Sequence, residues 1–442
     1  MKHSGRFRPL ISAAIVLTVL AGIIAGSFYW HAGLSTTHAA NPAIVPHTIK
    51  LQPQYKLAGQ LSADGTGKLF DCQSGKSPLR CYGPHQMRQA YSIQPLIDAG
   101  YNGSGRTIVI IDAYQGPTLT HDLNIFNRLF NLRVPTLNVI APDGLTPFNP
   151  SDPVQVGWAG EISLDVEWAH AIAPNATIDL VLAKSSNDTD ILSATSYAIT
   201  NNLGDVISQS FGEAEACADP ALLTQEHQLF QQATTQGITL IASSGDTGAA
   251  QYTCDGSSLT IATSTPASDP YVTAVGGTYL NANALSGNYH GEATWNDSFG
   301  ASGGGYSSVY TRPAYQKGLF TSTQRALPDV SYDADVNGGV LVVWSSSGLG
   351  SNLVFLFGGT SAGSPQWAAI TAIADQHAGT RLGLLNTAIY SIGHGSNYLA
   401  CFHDIQVGTN SFGGLSGYNS RQNWDAATGW GTPIVNNLVP AL

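Results

Sequence analysis

The chain has 442 residues, long enough for a large core and for more than one domain, and 43% of them are hydrophobic. Only 11% are charged, against roughly 25% in ordinary soluble proteins, and the formal net charge is −11. This balance excludes a nucleic-acid partner held through phosphate contacts. It points instead to an exported protein with a neutral polar surface, suited to acid because few ion pairs are there to be lost.

Lys2, Arg6 and Arg8 precede an apolar run from about Leu10 to Ile24, and small and polar residues follow. The pattern is that of an export signal over residues 1–39, with Thr37-His38-Ala39 as the cleavage site. Cleaved, it implies a secreted, extracellular protein with no stable membrane association. Left in place, the run with Phe28, Tyr29 and Trp30 approaches the length of a membrane anchor. Residues 40–80 contain Pro, Gln and Ser with weak periodicity and read as an N-terminal arm or short pro-segment. Export permits disulfides. Cys72 and Cys81 are close enough to close a small loop. Cys217 and Cys254 both lie in turn-rich segments and are candidate partners, and Cys401 is then left over. The absence of a Cys-x-x-Cys pair argues against a structural zinc site.

Residues 81–442 read as one domain. A short helix is expected over 87–97. The continuous apolar run 107–112 is the mark of a strand buried on both faces of a parallel sheet. Helices over 120–130, 161–171, 189–200 and 220–235 then alternate with strands over 137–140, 176–182, 206–210 and 239–243. This alternation predicts an α/β fold, a doubly wound and mostly parallel sheet with helices on both faces. From about Gly248 to Ser351 short strands and glycine-rich loops take over.

Four stretches carry candidate chemistry. In Phe357-Gly358-Gly359-Thr360-Ser361-Ala362-Gly363-Ser364-Pro365, small residues suit a tight strand-to-helix turn that holds a hydroxyl at its apex. The plainer reading is a glycine-rich turn capped by Ser361 or Ser364. Glu161 and Asp165 are four apart and share one helix face, where they repel. Either the acids favour a first turn, or one is a base and the other holds its proton, with one pKa of the couple raised. Ser244-Gly245-Asp246 follows a buried strand, the usual position for a site in an open α/β sheet, and also reads as an ordinary Gly-Asp turn. Finally, Asp404 and Asp425 flank a glycine- and asparagine-rich loop. Their oxygens suit a hard cation such as calcium, or simply a polar surface loop.

Together these stretches resemble the sedolisins, the serine-carboxyl peptidases with a subtilisin-like fold. The resemblance covers roughly residues 81–442. It rests on an ordered set: Glu161-x-x-x-Asp165, Ser208-Gln209-Ser210-Phe211-Gly212, Ser244-Gly245-Asp246, Ser268-Asp269-Pro270-Tyr271-Val272 with Gly276-Gly277-Thr278, Trp295-Asn296-Asp297, Gly303-Gly304-Gly305, Pro328-Asp329-Val330, Gly359-Thr360-Ser361, and His403-Asp404-Ile405 with Trp424-Asp425. It implies Ser361 as nucleophile, Glu161 as its general base, Asp165 as the acid that holds Glu161, and Asp246 as an oxyanion-hole acid. It also implies a Ca2+ site from the carboxylates of Asp404 and Asp425 and the carbonyls of Ile405, Arg421 and Asn423, although relatives commonly carry glycine at two of these positions. Ser210-Phe211-Gly212 and Gly303-Gly304-Gly305 resemble segments that pair with an extended peptide.

The implied activity is that of an acid-acting serine endopeptidase on protein or peptide substrates, as a monomer. Asp246 must hold a proton to donate to an oxyanion, so low pH is favoured. Only about forty residues separate the signal from the catalytic region, less than the folded propeptide usual in relatives. A rival reading takes Gly359-Thr360-Ser361-Ala362-Gly363 as the nucleophile elbow of an α/β-hydrolase esterase. It must recruit His394 or His403 and leaves Glu161, Asp165 and Asp246 without work. A non-catalytic calcium-binding or adhesion module is a third reading. It leaves unexplained why all four catalytic positions carry competent residues.

Overall fold

The computed structural model describes residues 47–49, 54–61, 70–77 and 79–442. The expected signal, 1–39, lies outside the described residues, as does part of the arm. In chain order the elements that position the site are β1 (Tyr55–Gln60), α1 (Pro84–Ala90), α2 (Gln94–Asp98), β2 (Thr107–Ala113), α3 (Leu119–Phe130), β3 (Thr136–Ile140), α4 (Pro153–Ile172), β4 (Thr177–Ala183) and α5 (Asp188–Thr200). They continue with β5 (Val206–Gln209), α6 (Pro220–Thr235), β6 (Thr239–Ser243), β7 (Val272–Ala282), β8 (Tyr289–Thr294), β9 (Val330–Asp333), β10 (Gly339–Val343), β11 (Leu353–Phe357) and α7 (Gly363–Ala378).

Among the described residues the main sheet has eight strands in the order β8-β7-β6-β5-β2-β4-β3, with β9 also paired to β7. Every pairing in it is parallel except the β7–β8 hairpin. The continuous apolar character of β2 has a direct cause. Ile108 and Ile110 face one core with α3, α4 and α7, while Val109 and Ile111 face a second core with α5 and α6. A strand covered on both faces needs no polar alternation. The chain runs from β2 to one side of the sheet through β3 and β4, then to the other through β5, β6 and β7. The reversal falls at β2, and open α/β sheets bind ligands beyond the C-terminal strand ends at such a switch point, here those of β2, β5 and β6.

Three local differences from the sequence reading have physical reasons. The helix expected over 87–97 is two helices, because Ser92 takes a left-handed φ of 57° and Pro95 opens α2. α4 begins eight residues before the expected start, where the Asp152 side chain caps the Val154 N–H at 3.0 Å and Pro153 occupies the first position. A described part of the arm pairs with the domain: β1 lies antiparallel to β11, the strand that feeds the candidate nucleophile. Tyr55 anchors it against Trp344, Phe355 and Phe357 with ring centroids 5.2–5.6 Å apart. The disulfides are Cys72 to Cys81 and Cys217 to Cys254, and Cys401 is free and buried.

Candidate active site

α4 is buried on every side from Trp158 to Ile172. Glu161 and Asp165 therefore sit in mid-helix, fully buried, and not in a first turn. The structural excuse for pairing acids near a helix N-terminus does not apply to them. No oxygen of either carboxyl accepts a hydrogen bond, and the same holds for Asp112 at the end of β2, also fully buried. Burial, with the charge of Asp165 next, pushes Glu161 well above the carboxylate range, and the nearby Ser361 hydroxyl pulls it back. Burial and then the charge of Asp112 push Asp165 the same way, while Ser210 opposes this. Burial and Glu161 raise Asp112. With only the Ser361 and Ser210 hydroxyls nearby, the three acids are left to satisfy one another by sharing protons.

β11 delivers the chain into a single tight turn over Thr360–Ala362, and α7 follows at Gly363. Ser361 is 8% exposed and its hydroxyl donates to Ser210 O at 3.1 Å. α7 packs directly on α4, which brings Ser361 to Glu161. Asp246 stands just beyond β6. Its Oδ1 accepts the Thr360 N–H and the Thr360 hydroxyl, both at 2.8 Å. Burial raises its pKa, and the two Thr360 donors resist. Gly359 is required here on two counts. Its φ is +88°, and a Cβ would lie 2.6 Å from Asp246 Oδ2. Glu161 also feels the charge of Asp246, so all four predicted residues share one electrostatic site.

The structure brings Ser361, Glu161, Asp165 and Asp246 together, and it adds Asp112, which sequence reasoning missed. The only sequence signal for Asp112 was an acid closing an apolar strand. The Gly303 N–H donates to Gly245 O at 2.8 Å, so Gly303 braces the Asp246 loop. Phe211 is buried against Trp158, centroids 6.0 Å apart. The histidines near the motifs have structural work. His170 lies 2.8 Å from Arg133 O and burial lowers it to about 4. His403 stacks on Tyr289 at 3.9 Å and is likewise lowered to about 4 by burial. His394 packs edge-on to Trp430.

Asp404 and Asp425 flank a single loop. Asp404 Oδ2 accepts the Asn423 N–H at 3.2 Å, and Asp425 Oδ2 accepts the Arg421 N–H at 3.0 Å. Asn423 has a φ of 62°, a conformation that asparagine tolerates and glycine adopts freely. Carboxylate oxygens are the hard donors that a hard divalent cation takes, and in this structure both carboxylates accept main-chain N–H groups.

A model of the subtilase family, peptidase S8, matches residues 157–431. The structure of Pseudomonas sedolisin, a serine-carboxyl proteinase complexed with pseudo-iodotyrostatin, aligns with a TM-score of 0.70 and 31% identity, over 82% of this chain and 98% of that one. The chain belongs to the sedolisin family. Kumamolisin from Bacillus sp. (strain MN-32) is 31% identical over 84% of this chain and 66% of its own length. Sedolisin from Pseudomonas sp. (strain 101) is 36% identical over 63% of this chain and 48% of its own length. The chain thus spans about two thirds of the first relative and about half of the second. As in the sedolisin fold, the sheet is parallel-rich with helices on both faces. No helix among the described residues is long and apolar enough to cross a membrane.

Proposed function

We propose that the protein is an exported, acid-acting serine-carboxyl endopeptidase. One observation carries the reading: Ser361, at the turn into α7, faces a buried carboxyl pair on α4 while Asp246 is fixed beside it by Thr360. Sedolisin-family membership supports it. In this mechanism Ser361 Oγ attacks the peptide carbonyl carbon and Glu161, ionised while the shared proton rests on Asp165, takes the hydroxyl proton. Asp165 holds Glu161 in place and shares its proton load. The oxyanion is met by the protonated Asp246 carboxyl and the Ser361 N–H. The proton on Glu161 then passes to the leaving amine. Water hydrolyses the acyl-enzyme by the same route in reverse. A protonated Asp246 is a donor only below its own raised pKa, so activity falls as pH rises through that value.

A Ca2+ ion, when bound, supplies a fixed positive charge and cross-links its loop. The carboxylates of Asp404 and Asp425 and the carbonyls of Ile405, Arg421 and Asn423 would hold it.

The test is proteolysis of a denatured protein, beside hydrolysis of a simple ester, from pH 2 to 8, with Ser361→Ala and Glu161→Gln in parallel. Peptide-bond cleavage should peak in acid, vanish in Ser361→Ala and fall by about 10²–10⁴ in Glu161→Gln. A neutral optimum, or full activity in Glu161→Gln, rejects the carboxylate base. Ester hydrolysis without proteolysis favours the elbow reading. The same samples treated with a chelator should melt at lower temperature, and an unchanged Tm rejects the calcium site.

A further inference from the structure

Residues 47–49 of the arm lie along the loop that opens α5. The Ile49 N–H donates to Ser186 O at 2.9 Å and the Asp188 N–H donates to His47 O at 3.1 Å. The Thr48 hydroxyl donates to Asn187 Oδ1 at 3.0 Å. This docking sets the His47 ring beside Asp188, the first residue of α5, and beside Glu213, just past Ser210-Phe211-Gly212. One ligand atom from each of these three residues lies within 4.8 Å of the other two. A cation with bonds of about 2.0–2.2 Å reaches atoms so spaced after small side-chain rotations.

Two observations point to a ligand at this place. First, the Glu213 side chain is only 9% exposed, and its Oε2 has no partner outside the cluster, only the His47 ring and Asp188. Asp188 and Nδ1 of His47 likewise find no partner beyond Glu213 and one another. His47 Nδ1 and Glu213 Oε2 are in close contact. Second, His47 Nε2 lies 3.0 Å from Cys254 O. A carbonyl only accepts, so Nε2 carries the proton, and in the neutral ring the Nδ1 lone pair faces the two carboxylates. A lone pair and two anions repel unless something positive lies between them, either a cation or a second ring proton; burial opposes that proton, while the Cys254 carbonyl and the Glu213 charge outweigh it and raise His47. A backbone carbonyl holding the far ring nitrogen is also the usual way a metal-binding imidazole is oriented. Burial and the neighbouring Asp188 charge already push Glu213 up to about 7, which reports how poorly the cluster is compensated as it stands. The nearby sulfurs of Cys217 and Cys254 are joined in a disulfide and are not thiolate ligands.

We propose that His47, Asp188 and Glu213 bind a divalent cation of the zinc class, through one imidazole nitrogen and two carboxylate oxygens, and that this ion clips the arm to the domain beside Ser210-Phe211-Gly212. The imidazole selects against calcium and magnesium, which prefer an all-oxygen shell. The site therefore differs in kind from that of Asp404 and Asp425.

The test uses the full chain carrying Ser361→Ala, so that the arm is not lost to self-cleavage, in excess Ca2+ to fill hard-cation sites. Titration with Zn2+ near pH 7, followed by calorimetry, should give one bound ion per chain, and Co2+ in its place should give a visible absorption band. His47→Ala and Glu213→Gln should each weaken Zn2+ binding by more than the roughly 10- to 100-fold that loss of an outer-shell partner costs. His47 lies on the arm, so its replacement leaves the domain folded, and an unchanged Tm will verify this. Zn2+ binding that survives His47→Ala overturns the proposal. So does a chain that binds no Zn2+, in which His47 titrates as an imidazolium paired with Glu213.

Discussion

Asp246 uses its two oxygens differently. Oδ1 is committed to both Thr360 donors, and Oδ2 occupies the space that a side chain at position 359 would fill. A proton on this carboxyl therefore belongs on Oδ2, and it becomes a donor without any rearrangement of the loop. The proposed oxyanion role makes a specific kinetic prediction. Asp246→Ala should lower kcat by about 10²–10³, the worth of one preorganised donor, with KM nearly unchanged. Asp246→Asn keeps an acceptor for Thr360 and carries a permanent N–H donor. It should retain more activity than the alanine variant, and its alkaline limb should move to higher pH because the donor no longer titrates. Steady-state kinetics from pH 3 to 8 check both. An alkaline limb that stays in place in Asp246→Asn assigns that limb to another group.

Among the elements, the link from β7 to β9 shows what a conspicuous motif can do without touching substrate. Asp329, in Pro328-Asp329-Val330, is fully buried with Arg325. Oδ1 accepts from Arg325 Nη1 at 2.8 Å and from the Tyr390 hydroxyl at 2.7 Å. Oδ2 accepts from Arg325 Nη2 at 2.6 Å and from the Ala274 N–H of β7 at 2.8 Å. Asp329→Ala strands a buried guanidinium and should cost about 3–5 kcal/mol in urea unfolding. The double variant Arg325→Met/Asp329→Leu should cost much less, since no charge is left unpaired. What was legible in the sequence follows the same local logic. β2 could be read because burial on both faces makes one unbroken apolar run, and Cys72 pairs with Cys81 a few residues away. The start of α4 was marked only by its Asp152-Pro153 cap, because a helix buried all round from Trp158 carries no stripe to mark its limits. Nor was β1, a half-exposed edge strand held by backbone bonds to a partner near the other end of the sequence. Ser361, Glu161, Asp165 and Asp246 were found through their order along the chain. Asp112 has no such marker, and only the sheet brings it to Asp165.

Over the whole molecule the scarcity of charge becomes a prediction about acid. Glu226 is raised to about 8 and Asp375 to about 7, each mainly by burial. Asp335 is raised to about 6, and Asp112, Glu161, Asp165, Glu167 and Asp333 stand well above the ordinary range for the same reason. A carboxyl whose folded pKa exceeds its unfolded value keeps a proton that the unfolded chain has released. Between the unfolded value, about 4, and the folded one, the native state binds more protons, so stability falls as pH rises. His170 and His403 oppose this. Burial lowers both to about 4, so between pH 6.5 and 4 the unfolded chain binds their protons and the native state does not. Two histidines act against the larger set of raised carboxyls, and above pH 6.5 they contribute nothing. Tm should therefore be highest near pH 4 and decline toward pH 8, most clearly in the Ser361→Ala background, where self-digestion is absent. Asp112→Asn removes a carboxyl from the most crowded buried group, so it should flatten that decline and raise Tm at pH 8 more than at pH 4. Calorimetric scans of both proteins at pH 4, 6 and 8 decide the matter. A Tm that rises from pH 4 to pH 8 would mean that these carboxyls are ionised in the native state and compensated from outside the cluster, which also removes the shared proton on which the proposed Glu161–Asp165 couple depends.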